Sequence, residues 1–158
     1  MTNLPPPPPP PDRDYLALPR SLVSPIYEAL GFDITDGGEG WLEITLRVAP
    51  LVLNVDGVVH GGVWLVVADS AMGGALRTLI QPGERVVTGQ LDFRWLRPFT
   101  GEILRAVGRV SRRGRSLSHC TVELLDEQDR PVGTGSGTFV ILQPESGVPS
   151  VEGGTPSA

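Results

Sequence analysis

The 158-residue sequence has no lysine, one cysteine, two histidines and only 6% aromatic side chains. A single thiol, Cys120, can neither close an intrachain disulfide nor build a thiolate cage, so packing alone must hold the fold. His60 and His119 are too few for a metal set, and neither a metal nor a redox cofactor is expected. Phosphate-binding and serine-nucleophile signatures are also missing. There is no Walker loop and no G-x-S-x-G elbow, and Gly133-Thr-Gly-Ser-Gly137 stops short of a dinucleotide fingerprint. The 13 basic residues, all arginine, are outnumbered by 18 acidic ones. The resulting net charge of −5 argues against nucleic acid as a partner, because phosphate backbones need a clustered cationic face. The most apolar stretch, Gly61 to Ile80, carries Asp69 and several glycines, which argues against a membrane span. No basic segment followed by an apolar one opens the chain, so a cytoplasmic location is expected.

What is present is a composition 40% hydrophobic and 20% charged, that of one globular domain with a core of useful size. Pro5 to Pro11 favours an extended polyproline II segment, and residues 1–17 are expected to form a disordered tail. Residues 143–158, rich in Pro, Gly and Ser, are expected to form a second tail, leaving 18–142 as the folded unit. A short helix is expected over Ser21 to Leu30, with Ser24 and Pro25 as N-cap and first residue and Gly31 as its stop. Phe32 to Asp36 and Trp41 to Val48 alternate as two strands of a hairpin turning at Asp36-Gly37-Gly38. From Gly61 to Ile80 almost no polar face remains, which predicts a central helix wrapped by protein. Four strands follow, over Arg85 to Leu96, Glu102 to Ser111, Ser116 to Asp126 and Val132 to Leu142, in an antiparallel sheet. Leu91, Phe93 and Trp95 are expected on its buried face. Gly133, Gly135 and Gly137 share one face of the last strand, where a helix or another chain can come close.

One segment carries chemistry. The stretch from Asn54 through His60-Gly61-Gly62 follows the pattern N-x-x-G-x-x-H-G-G, and Asp69-Ser-Ala71 comes after it on the same apolar run. Arg97-Pro98, the Gly114-Arg115-Ser116 turn and the closing Gly137-Thr-Phe139 accompany it. Over roughly Ile26 to Leu142 the chain resembles the PaaI-like hot-dog acyl-CoA thioesterases. That resemblance implies an α+β fold in which a curled antiparallel sheet wraps one long helix, and hydrolysis of an acyl-CoA.

Physical chemistry gives the matching residues their roles. An ionised Asp69 among valines and alanines is costly unless polar neighbours, water or a substrate meet it. By resemblance it either activates water or attacks the thioester directly, and both routes stay open. Gly61 and Gly62 open the helix, where free N–H groups and the helix dipole favour a developing oxyanion. His60 and Asn54 are implied beside that entrance, and Thr88 aligns with a hydroxyl residue that holds the attacking water, though each residue type is common in purely structural roles.

Gly62 and Asp69 are seven positions apart on one helix, which separates them by roughly 10 Å, too far to grip one thioester. A two-fold homodimer would bring Asp69 of one copy to Gly62 of the other. The resemblance implies such interface sites and the pairing of dimers into a homotetramer. Arg112, Arg113 and Arg115 concentrate positive charge in one turn and are candidates for the CoA phosphates. Tyr27, Leu30, Val52, Leu53 and Trp64 are candidate acyl-pocket residues, favouring an aryl or medium-length chain. Two rivals remain at this level: a hot-dog hydratase or dehydratase acting on an enoyl thioester, and an acyl-CoA-binding protein without turnover.

Overall fold

The structure, a computed structural model, describes residues 14–21 and 24–143. The expected tails fall almost wholly outside the described residues. Two short helices, α1 (Ala17–Ser21) and α2 (Pro25–Leu30), stand where one was expected. Helix α2 has Ser24 at its N-cap and Pro25 in its first turn, and it ends where Gly31 takes a left-handed φ of 76°. That conformation is easy only for a residue without Cβ.

Strands β1 (Phe32–Gly38) and β2 (Trp41–Arg47) form the expected hairpin, but its turn lies later than the glycine pair suggests. Gly37 and Gly38 stay paired with Leu42 and Trp41, and the chain reverses at Glu39 and Gly40, whose φ is +75°. Positive φ, rather than glycine content, fixes the turn.

Helix α3 (Gly61–Arg77) ends three residues short of Ile80. Thr78 explains the stop, since its hydroxyl donates to the Ala75 carbonyl at 2.7 Å and accepts the Gly40 N–H at 2.8 Å. Strands β3 (Arg85–Trp95), β4 (Ile103–Arg113), β5 (Leu117–Leu125) and β6 (Pro131–Leu142) complete one antiparallel sheet in the order β1-β2-β4-β5-β6-β3. The sheet curls about α3, which contacts every strand. This is the hot-dog fold.

The core is the inward face of that curl. Leu42, Ile44 and Leu46 of β2 alternate with partly covered residues, and Leu104, Ala106, Val122 and Leu124 continue the layer across β4 and β5. Glycine sets the closest approaches. A Cβ on Gly108 would collide with the Ala71 backbone carbonyl, so helix and sheet touch backbone to backbone there. The glycine face of β6 is also inward: Gly133 lies under Phe93 and Trp64, and Gly137 under Met72.

Two expectations need correction. Helix α3 is not wrapped on all sides within one chain, because Gly62, Leu65, Val66, Asp69, Ser70 and Arg77 stay only partly covered and form a stripe at helical spacing. Trp95 is 50% exposed rather than buried, since β3 is an edge strand with a neighbour only at β6.

Candidate active site

The open stripe of α3 forms one wall of a groove of about 540 Å³, and β3 supplies the facing wall. Asp69 lies between the ends of this groove. Thr88 of β3 donates its hydroxyl proton to Asp69 Oδ1 at 2.7 Å, so the carboxylate has a polar neighbour without being sealed away. The pairing has a local cause. Strand β3 is irregular between Thr88 and Gln90, where Gly89 is left out of the ladder with β6. Arg94 does not neutralise Asp69; it pairs with Asp92 at 2.8 Å on the exposed side of the strand.

At the head of α3 the geometry refines the expected oxyanion site. His60 is the N-cap, and its Nδ1 accepts the Gly62 N–H at 3.0 Å. That contact requires the tautomer with the proton on Nε2. The Gly62 N–H is therefore already satisfied, contrary to the expectation that both glycines present free donors. The Gly61 N–H has no partner among the described residues, and Gly61 sits against the indole of Trp95. Gly61 lines a second cavity of about 580 Å³ with Val58, Trp64, Trp95, Pro98 and Phe99. The aromatic rings there meet edge to face, Trp64 with Phe93 at 6.2 Å and with Phe99 at 6.4 Å.

Asn54 is engaged in shaping the loop that leads to His60. Its Oδ1 accepts the N–H groups of Asp56 at 2.9 Å and Val58 at 3.2 Å, closing a turn in which Gly57 has a φ of +75°. The expected substrate contacts divide between places. Tyr27 lines the Asp69 groove, its ring tilted by 42° against that of Phe32 with centroids 4.3 Å apart. Trp64 is buried at the second cavity, with its indole N–H held by the Val59 carbonyl at 3.1 Å. Leu53 bridges to Val59 in the loop, and Leu53, Leu30 and Val52 line neither cavity.

The arginine turn lies at the far end of the sheet, beyond the C-terminus of α3. Arg112 and Arg115 are exposed, whereas Arg113 pairs with Glu84 at 2.9 Å. Burial raises the Glu84 carboxyl pKa, but N–H donors from Gln81 and Gln143 and the Arg113 charge outweigh it and hold the pKa below its ordinary value. Cys120 offers no nucleophile, because burial pushes its thiol up to about 12. Among the described residues no group of three or more His, Cys, Asp or Glu side chains is placed to hold a metal, and no helix is long and apolar enough to cross a membrane.

Of the groove residues, sequence reasoning named only Tyr27, Asp69 and Thr88 for the site, and two polar ones that it missed lie on α3 itself. Ser70 sits beside Asp69, and Arg77 lines the groove from the last turn of α3. A charged residue at a helix C-terminus reads as a partner of the helix dipole, and nothing in the sequence turns it inward.

The thioesterase superfamily model matches residues 56–132, which include the Gly61-Gly62 pair, Asp69 and Thr88. The acyl-coenzyme A thioesterase PaaI of Escherichia coli is 30% identical over 111 residues, 70% of this chain and 77% of that protein. A thioesterase family protein from Silicibacter pomeroyi superposes with a TM-score of 0.78 at 25% identity, covering 82% of this chain and 98% of that one. A Bacillus halodurans protein solved with CoA gives a TM-score of 0.70 at 28% identity, over 78% of this chain and 79% of that one.

Proposed function

This chain belongs to the thioesterase superfamily, and from that premise we propose that it hydrolyses an aryl- or medium-chain acyl-CoA to the free acid and CoA at a site shared by two copies. The observation that carries the proposal is Asp69, the one carboxylate among the described residues that line the groove, held by the Thr88 hydroxyl at 2.7 Å. Asp69 either takes a proton from a water whose oxygen attacks the thioester carbon, or attacks that carbon itself to give an anhydride that water then hydrolyses; in both routes the C–S bond breaks and CoA leaves as the thiol. Thr88 orients the carboxylate and, between turns of the reaction, the water.

The second half of the site comes from the partner's helix. As the carbonyl oxygen gains charge, it meets the N–H groups that open α3, with the unpartnered Gly61 N–H first and the dipole of a 17-residue helix behind it. His60 keeps the first turn ordered by capping Gly62, and Asn54 holds the loop that delivers both. The exposed edge of β3 and the uncovered stripe of α3 favour a two-fold pair, because an unpaired strand edge and a partly apolar helix face are surfaces that a second copy would cover. The acyl-CoA class is supported by the Escherichia coli relative's activity and by the CoA held in the Bacillus halodurans structure.

The test is thiol release from a panel of aryl and fatty acyl-CoAs by wild type and by Asp69→Asn. Loss of about 100-fold or more in kcat with an unchanged fold is expected, the scale of a general base. A variant that keeps wild-type turnover removes Asp69 from the chemistry.

A further inference from the structure

The groove beside Asp69 changes character along its length. Toward the N-terminus of α3 and beneath α2 its lining is Ser24, Ile26, Tyr27, Leu65, Val66 and Leu91, uncharged and mostly apolar, with one hydroxyl and one phenol. Toward the C-terminus it is Ser70, Gly73, Arg77, Val86 and Phe139. Among the described residues Arg77 is the only cation in the lining, and its guanidinium has no hydrogen bond or ion pair there.

An arginine in the last turn of a helix ordinarily complements the terminal carbonyls. Arg77 turns the other way. Side chains on a helix lean toward its N-terminus, and Arg77 Nη1 lies 3.2 Å from where a Cβ on Gly73 would stand, one turn back toward Asp69. Gly73 makes the room: a side chain there would press on the guanidinium and on the Phe139 ring at 3.6 Å. A mid-helix glycine weakens a helix, so this opening has a cost that an ordinary terminal arginine would not require.

The same end of the groove leads to more positive charge. Arg85 opens β3 opposite Leu142, and the Ile141 N–H donates to the Ser116 carbonyl, which brings the Arg112 to Arg115 turn alongside. Among the described residues no corresponding cation lines the opposite arm.

We propose that the groove fixes the direction of its substrate: the CoA arm leaves Asp69 past Arg77 toward the arginine turn, and the acyl group lies the other way, beneath α2. This rests on the thioester reading above and adds Arg77 as a residue that selects the CoA portion. The chemistry is one-sided. Pantetheine carbonyls and pyrophosphate oxygens accept the guanidinium N–H donors, whereas an apolar acyl chain laid over Arg77 would strip its water and return nothing.

Two measurements on the purified full-length protein decide it. In calorimetric titration with CoA alone, Arg77→Met is expected to raise Kd about tenfold, the loss of one charged hydrogen bond. In steady state the same variant is expected to raise KM by a similar factor for every acyl length, while Ile26→Trp, which narrows the other arm, shifts preference toward short acyl groups. Wild-type CoA affinity in Arg77→Met, or a loss from that variant that grows with acyl length, overturns the direction. If the wild type hydrolyses no acyl-CoA, the hydrolase reading falls, and the CoA titration still decides the role of Arg77.

Discussion

At the scale of single residues, the site depends on how few polar groups enter an apolar helix. Asp69 is tolerated because the groove admits solvent and Thr88 supplies a donor at 2.7 Å. Gly61 allows an unusually clean experiment. It occupies the first helical position, where proline is favoured because its missing N–H would be unpaired in any case. His60, with φ of −58° and ψ of 133°, already has the extended backbone that precedes proline readily. A Cβ at position 61 would meet Trp95 no closer than 3.7 Å, an ordinary contact. Gly61→Pro therefore deletes one N–H with little strain. With that donor serving the oxyanion, kcat is expected to fall about 100-fold or more while the thermal midpoint stays near wild type. Unchanged kcat would move the oxyanion elsewhere. Cys120 provides an opposite case: with its thiol pushed up to about 12 and buried, it is expected to react with a thiol reagent only after denaturation. Rapid labelling of the native protein would contradict that burial.

At the scale of elements, much of the architecture was legible because it follows from spacing. The apolar run before Gln81 read as one central helix, and β2 alternates so regularly that its core face is readable residue by residue. What the sequence hid were side-chain directions. Nothing in a histidine before two glycines announces that its ring will cap the second of them, and nothing in a terminal arginine announces that it will fold back over Gly73. The open stripe of α3 was hidden too, since an apolar helix reads alike whether its last face meets its own sheet or another molecule. One link between elements has a pH signature. Glu84, only 8% exposed, joins the start of β3 to Arg113 at the end of β4 and to Gln143 after β6. Its folded pKa is lowered, so its contribution to stability is present above the unfolded carboxylate value of about 4.3 and is lost as pH falls through the lower folded value. Glu84→Gln is expected to flatten the acid limb of a stability-against-pH curve in that window and to lower stability at neutral pH. Parallel curves for the two proteins would show that this link contributes nothing.

At the scale of the whole molecule, the proposed site requires two copies, and this yields a test that no arrangement within one chain can pass. Asp69 and Gly61 are eight positions apart on α3, about 12 Å along its axis, so a single helix cannot bring both to one carbonyl carbon. If each site takes its carboxylate from one subunit and its N–H donor from the other, Asp69→Asn and Gly61→Pro fail in complementary ways. A mixed dimer of the two has one site with both defects and one with neither. Refolding them together in equal amounts places half of the molecules in mixed dimers, and about a quarter of the wild-type sites should regain function. Each variant refolded alone should stay inactive. Tetramers built from such dimers should give the same fraction, because the shared seam is unchanged. Were the mixture no more active than its two components, the carboxylate and the donor would belong to the same chain, and the role of the exposed β3 edge would have to be sought in something other than completing the site.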